Sequence, residues 1–163
     1  MKIIVFSDSH GRCDKMTNII SGFKEKAYAP DYIVHLGDYM RDAKILQKQF
    51  PEIPVLYVYG NGEYSLEGND YEKEVEIGGK KIFILHGHTK NVRFSIDTLK
   101  MVAGQKKYDM ILYGHTHEPM ETCHNGTHIV CPGSISRDRS GKGESYCMVD
   151  ITGKDICANI IYA

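Results

Sequence analysis

Five short apolar runs in this chain break off into glycine, carboxylate, asparagine or histidine, and that repeated pattern limits the fold more than any other feature. The runs are Ile3-Ile4-Val5-Phe6, Tyr32-Ile33-Val34-His35-Leu36, Val55-Leu56-Tyr57-Val58-Tyr59, Lys81–Leu85 and Met110-Ile111-Leu112-Tyr113. Continuous apolar runs of this length read as strands, and Ile3–Phe6 as one covered on both faces. Between the first three, apolar residues return at helical spacing. Met16, Ile19, Ile20, Phe23 and Ala27 predict an amphipathic helix over about 13–27. Ala43, Leu46 and Phe50 predict a shorter one that stops before Pro51. Strands joined by helices imply right-handed crossovers and a parallel sheet.

The second half is richer in hairpins. Gly78-Gly79 joins Tyr71–Ile77 to Lys81–Leu85, and Asn125-Gly126 joins about 119–124 to 127–131. A turn over Thr152–Asp155 joins about 145–151 to 156–162, and Val92, Ile96, Leu99 and Ala103 mark a further helix. The expectation is a single α/β domain over residues 1–163, with two mixed sheets packed together and helices outside. A single twisted sheet is the alternative.

Composition excludes several function classes. Twenty basic and twenty-one acidic residues leave a net charge of −1, which argues against holding a nucleic-acid polymer or a membrane by bulk charge. No apolar run approaches the roughly 20 residues of a membrane span, and no basic segment followed by a long apolar one opens the chain. Five cysteines without a C-x-x-C pair suit a reduced, cytoplasmic protein. Of these, Cys13, Cys147 and Cys157 read as small buried hydrophobes.

The chemistry lies where the strands end. The five runs pass into Ser7-Asp8-Ser9-His10, Gly37-Asp38, Gly60-Asn61, His86-Gly87-His88 and Gly114-His115-Thr116-His117. Ligands of α/β sheets collect beyond the carboxyl ends of strands, so two Asp, one Asn and up to five His would meet in one place. Imidazole and carboxylate donors without thiolate suit Mn, Fe, Zn or Ni in an open catalytic site. A carboxylate shared between two ions is how a bimetal site is built. Asp38, ending a buried strand, needs a partner. His35, inside its strand, reads as a hydrogen-bonded core residue instead of a ligand.

Taken in order, these blocks and Cys131-Pro132-Gly133-Ser134 resemble the calcineurin-like metallophosphoesterases, specifically the small stand-alone YfcE-like phosphodiesterases of bacteria and archaea. The resemblance covers essentially the whole chain and implies a four-layer αββα sandwich. It also implies a ligand set: Asp8, His10 and His117 for one divalent ion, Asp38 as the bridge, and Asn61, His86 and His115 for a second. Mn2+ is the expected metal, with Zn2+, Fe2+ or Ni2+ compatible. The implied activity is hydrolysis of a small organic or nucleotide phosphodiester by in-line attack of a hydroxide shared by the ions. The competing readings are a phosphomonoesterase of the same family and a non-catalytic scaffold, as in the retromer subunit that shares this fold. A homodimer or higher homo-oligomer is compatible with the sequence.

Two departures from the family pattern bear on mechanism. Many relatives follow the asparagine with a histidine that protonates the leaving group, whereas this chain has Asn61-Gly62-Glu63. His88 is the nearest replacement by sequence, and without a strong acid the favoured leaving groups would have low pKa. Cys131 stands where the family carries Asn, which puts the hydrogen bonding of that loop in question. Arg12 and Arg137 are candidate phosphate contacts, with Arg41 read as a solvated charge at a helix start. Tyr39 and Tyr64 are candidates for stacking on a base.

Overall fold

The first apolar run becomes β1 (Lys2–Phe6), and its alternate residues enter different layers. Ile3 and Val5 join one buried cluster, Ile4 and Phe6 another, as the two-residue period of a strand requires. In this computed structural model, which describes residues 1–63 and 70–163, β1 is the middle strand of the first of two five-stranded sheets. It is followed by α1 (Cys13–Glu25), β2 (Tyr32–His35), α2 (Met40–Gln49) and β3 (Val55–Tyr57). Then come β4 (Glu72–Ile77), β5 (Lys80–Leu85), α3 (Asp97–Lys106), β6 (Met110–Tyr113), β7 (Met120–His124), β8 (Thr127–Cys131), β9 (Ser145–Thr152) and β10 (Asp155–Tyr162).

The sheets are ordered β10-β9-β1-β2-β3 and β4-β5-β6-β8-β7. Both are mixed: β1–β2–β3 and β5–β6–β8 run parallel, while β9, β10, β4 and β7 pair antiparallel at the flanks. Three apolar clusters define the layers. Ile3, Val5, Val34 and Val149 of the first sheet pack on Ile82, Ile84, Met110 and Leu112 of the second. Met16 and Ile20 of α1 and Ala43 and Leu46 of α2 cover the outer face of the first sheet. Leu99 and Ala103 of α3 cover the second. The architecture is therefore α-β-β-α, and the single twisted sheet is ruled out.

Three local expectations are corrected. The third strand ends at Tyr57 and not Tyr59, because the chain leaves its neighbour there: the Val58 N–H still reaches the His35 carbonyl, but that of Tyr59 turns to Asp70, 2.7 Å away. The helix expected from Val92 starts at Asp97. A single 3₁₀ turn at His88–Lys90 precedes it, and Val92 is buried under Gly87, where a Cβ would lie 2.7 Å from its methyl group. Val92 is thus apolar for loop packing and not for a helix face. Cys13 and Cys147 are buried, but Cys157 is exposed, because it alternates outward on β10 while Ala158 points in.

A buried polar chain ties the loop after β1 to the loop and helix after β2. The main-chain N–H of Gly37 donates to His35 Nδ1, so His35 Nε2–H donates to Ser9 Oγ at 2.9 Å. Ser9 Oγ–H in turn donates to Asp42 Oδ2 at 2.7 Å, which also accepts the Gly11 N–H at 3.0 Å. His35 is fully buried, and burial pushes its imidazole down to about 4, with Asp8 only partly opposing. A depressed imidazole binds fewer protons folded than unfolded, so its contribution to stability is lost as pH falls from 6.5 toward 4. The loss amounts to roughly 3 kcal/mol. Urea unfolding midpoints should decline across that window, and His35→Gln should flatten the decline; equal slopes in the two proteins would contradict the assignment.

Candidate metal centre

Asp8 follows β1, Asp38 follows β2, Asn61 lies in the turn after β3, His86 follows β5, and His115 and His117 follow β6. Loops from both sheets therefore meet at one place. One ligating atom from each of Asp8, His10, Asp38 and His117 falls within 4.8 Å of the others. Next to them, His86 Nε2 lies 3.1 Å from Asn61 Oδ1, 3.2 Å from His115 Nδ1 and 3.5 Å from Asp38 Oδ1. Asp38 faces both groups, since its other oxygen, Oδ2, lies 3.9 Å from His10 Nε2. The seven residues expected as ligands are thus brought together in two adjoining sets, with Asp38 between.

Main-chain carbonyls set two of the imidazoles. His86 Nδ1–H donates to the Leu36 carbonyl at 2.7 Å and His117 Nδ1–H to that of Arg137 at 2.8 Å. In the neutral rings Nε2 then carries a lone pair. Yet His117 Nε2 faces Asp8 Oδ1 at 3.1 Å, and His86 Nε2 faces the oxygens of Asn61 and Asp38. Acceptor opposes acceptor, an arrangement that calls for a proton or a cation between them. Asp8 Oδ1 and His10 Nε2 are both buried without a hydrogen-bond partner, whereas native interiors pair such atoms. The donor set therefore fits divalent metal ions on geometry and on chemistry.

The electrostatics agree. Burial pushes His115 down to about 4, reinforced by His86 and by the charge of Arg93, and burial lowers His10 against the pull of Asp38. Both rings are then neutral, with lone pairs available. Burial would also lower His117, but the Asp8 carboxylate outweighs it and holds the ring above its ordinary value. Burial raises Asp8, and His117 more than offsets that, leaving it below the usual carboxylate range. Asp8 Oδ2 accepts the His115 N–H at 3.0 Å and the Ser7 hydroxyl, which leaves Oδ1 as the oxygen turned to the cluster.

Backbone conformation shows how tightly the loops are held. Asp8, His10, Asp38, His115 and His117 all have positive φ, between 44° and 72°, a region uncommon outside glycine. Gly37 and Gly60 allow the loops to touch: a Cβ on Gly60 would lie 2.1 Å from Asp38 Oδ1, and one on Gly37 2.7 Å from the Gly60 nitrogen.

The remaining expected residues are placed as follows. The half-buried His88 ring meets Tyr71 edge-on at 4.9 Å and lies 5.4 Å from His86, with Nδ1 unpartnered. Arg137 reaches the cluster twice, through its carbonyl on His117 and through its charge, which is felt at His10. Arg12 sits at the exposed start of α1 with Nε 3.5 Å from Asp14. Arg41 is exposed. Tyr39 meets His10 edge-on at 5.6 Å, and Tyr64 lies outside the described residues.

Sequence reasoning missed several contributors. Ser134 Oγ donates to the Asp8 carbonyl at 2.9 Å and accepts the N–H groups of Ser136 and Arg137. Cys131 is buried in the outer core, its thiol pushed up to about 12 by burial, and its Sγ pairs with Thr116 Oγ1 at 3.3 Å. Glu63 accepts the main-chain N–H groups of Tyr39, Met40 and Gly60, binding the Gly-Asn loop to the start of α2. Its place two residues after Asn61 was the available signal. Arg93, from the loop before α3, carried no signal in its spacing.

Comparison with known proteins places this geometry among relatives. The model of the calcineurin-like phosphoesterase superfamily domain matches residues 1–154. A probable metallophosphoesterase of Bacillus subtilis, YsnB, is 26% identical over 152 residues, covering 93% of this chain and 85% of its own. The phosphodiesterase MJ0936 of Methanocaldococcus jannaschii is 28% identical over 131 residues, or 72% of this chain and 74% of its own. The crystal structure of a predicted phosphoesterase from Streptococcus pneumoniae superposes with a TM-score of 0.81 at 27% identity, over 99% of this chain and 88% of that one.

Proposed function

The chain belongs to the calcineurin-like phosphoesterase superfamily, and from that premise we propose that it is a phosphodiesterase with two divalent ions, acting on a small organic or nucleotide diester. The observation that carries this reading is the meeting of metal-ligating atoms across Asp38: His10 Nε2 on one side, His86 Nε2 and Asn61 Oδ1 on the other. Asp8, His10, Asp38 and His117 would hold one ion, and Asp38, Asn61, His86 and His115 the second. Mn2+ suits these oxygen and imidazole donors, as do Zn2+, Fe2+ and Ni2+. Bound there, the ions would lower the pKa of water toward neutrality and offset charge developing on the phosphoryl oxygens.

The protein's own groups do the rest. Leu36 and Arg137 carbonyls orient two of the imidazoles, a support that typically matters 10- to 100-fold in metal affinity or activity. The Gly62 N–H donates to Asp38 Oδ1 at 3.0 Å, holding the shared carboxylate in plane with both sets. Arg137 adds positive charge near His10, where a phosphate oxygen would be received. His88, its ring 6.1 Å from that of His115, is the candidate proton donor to the leaving oxygen, although burial and the neighbouring His86 lower its imidazole. A reduced, cytoplasmic setting remains the reading of the odd cysteine count.

Metal analysis after loading with Mn2+ should find two equivalents per chain, and Asp38→Asn should lose metal and more than about 100-fold in diester hydrolysis. Wild-type activity in that variant would sink the two-ion reading. Because position 62 offers no acid, kcat/KM should rise as leaving-group pKa falls, and more steeply once His88 is replaced. His88→Gln should cost roughly 100-fold on alkyl diesters and far less on 4-nitrophenyl ones, with metal content kept. Equal losses on both would remove His88 from proton transfer.

A further inference from the structure

A cleft of about 270 Å³ opens beside the metal cluster, walled by Tyr39, Met40, Arg41, Tyr59, Gly62 and Glu63. It adjoins the cluster at two points. Gly62 N–H reaches Asp38 Oδ1 at 3.0 Å, and the Tyr39 ring meets His10 edge-on with centroids 5.6 Å apart. Tyr39 is 48% exposed and has a φ of 81°, a left-handed conformation that a bulky side chain adopts only under constraint. The constraint is Glu63, whose carboxylate accepts the N–H groups of Tyr39, Met40 and Gly60. The fold thus holds a large aromatic ring half in water, in a strained backbone, at the edge of the site; such strain gathers where a ligand is clamped.

We propose that this cleft seats an uncharged planar aromatic group, aryl or nucleobase, carried on one ester arm of a phosphate held at the cluster. The inference rests on the phosphodiesterase reading and adds its substrate class. Three properties of the cleft select that group. Its size is sufficient, since an apolar cavity of about 150 Å³ already admits benzene. Its tyrosine rings offer the offset or edge-on contacts that aromatic groups favour. The Arg41 and Glu63 charges in its wall offset each other, which leaves the cleft without net charge and suits an uncharged group. The bare backbone at Gly62 leaves the junction open, because any side chain there would begin 3.3 Å from Asp38 Oδ1.

Phosphonates, which cannot be hydrolysed at the P–C bond by this chemistry, test the cleft by calorimetry on the Mn2+-loaded protein. Phenylphosphonate should bind at least tenfold more tightly than methylphosphonate. Tyr39→Ala should bring the two dissociation constants within threefold of each other, and Tyr39→Phe should keep the preference. Tyr59→Ala, at the other tyrosine of the lining, provides an independent second loss. Adenosine 5′-monophosphate binding more tightly than phenylphosphonate would assign a nucleobase, and the reverse order a simple aryl group. Equal binding of the two phosphonates by the wild type, or a preference that survives both alanine variants, would overturn the cleft and leave the phosphoesterase reading standing. Binding of neither would overturn both.

Discussion

Acceptors placed against acceptors are the interaction on which the rest of this molecule depends. A carboxylate oxygen and an imidazole nitrogen at 3.1 Å, as between Asp8 and His117, stay together only with a proton or a cation between them. Nothing in the surroundings relieves this by rotation, because the Arg137 carbonyl holds the His117 ring and the Ser7 hydroxyl and His115 N–H hold the Asp8 carboxylate. The same logic repeats at His86, which the Leu36 carbonyl fixes against Asn61 and Asp38. The fold is therefore arranged around a site for positive charge, and family membership and donor chemistry suggest a divalent metal there.

Holding such an arrangement takes support from several directions. Five of the seven residues in the cluster have left-handed backbone conformations, each unfavourable by about 1 kcal/mol or more. They persist because the loops are bonded to one another. The His35–Ser9–Asp42 chain links the first loop to the second, Glu63 links the third to the second, and Ser134 reaches back from the β8–β9 connection to the first. Two sheets packed face to face supply the rigid base, since loops from each meet only if the sheets keep their alignment. The apolar layer between them, with Ile3 and Val5 against Ile84 and Leu112, does that.

The layers and the cluster were legible in the sequence because both depend on short-range pattern. Apolar runs of four or five residues exist where strands are covered on both sides, and the polar residues at their ends have one place to go. What was not legible depends on contacts between distant segments. Val92 carries the same apolar signal whether it lies on a helix or under Gly87, and only the packed loop distinguishes the two. Tyr59 looks like a strand residue until Asp70 takes its N–H. Glu63 reads as an ordinary acidic residue, although three main-chain N–H groups from two loops converge on it. Cys131 stands in place of asparagine, yet its Sγ pairs with Thr116, and Ser134 three residues later bonds back to the Asp8 carbonyl. Cys157 was misread because cysteine is apolar enough for a core, while its register on β10 faces it outward.

The near-neutral charge of the chain and its phosphate chemistry are reconciled by where charge sits. With a net charge of −1, the chain has no overall positive field with which to hold a polyanion. Seven cluster residues contribute only two carboxylates, so two divalent ions bound there would leave the crevice positive while the exterior stays balanced. Low-dielectric walls concentrate such a field, which favours a single phosphate over a polymer. The site must then find its selectivity in the neutral parts of the substrate, since charge alone treats all phosphate esters alike. Gly62 bears on this in two ways: it offers no acid where the resemblance expects a histidine, and it leaves open the junction between Asp38 and the cleft lined by Tyr39 and Tyr59. Under the two proposals aromatic alcohols would be both the better leaving groups and the better fit, so a single glycine would bear on reactivity and on binding alike.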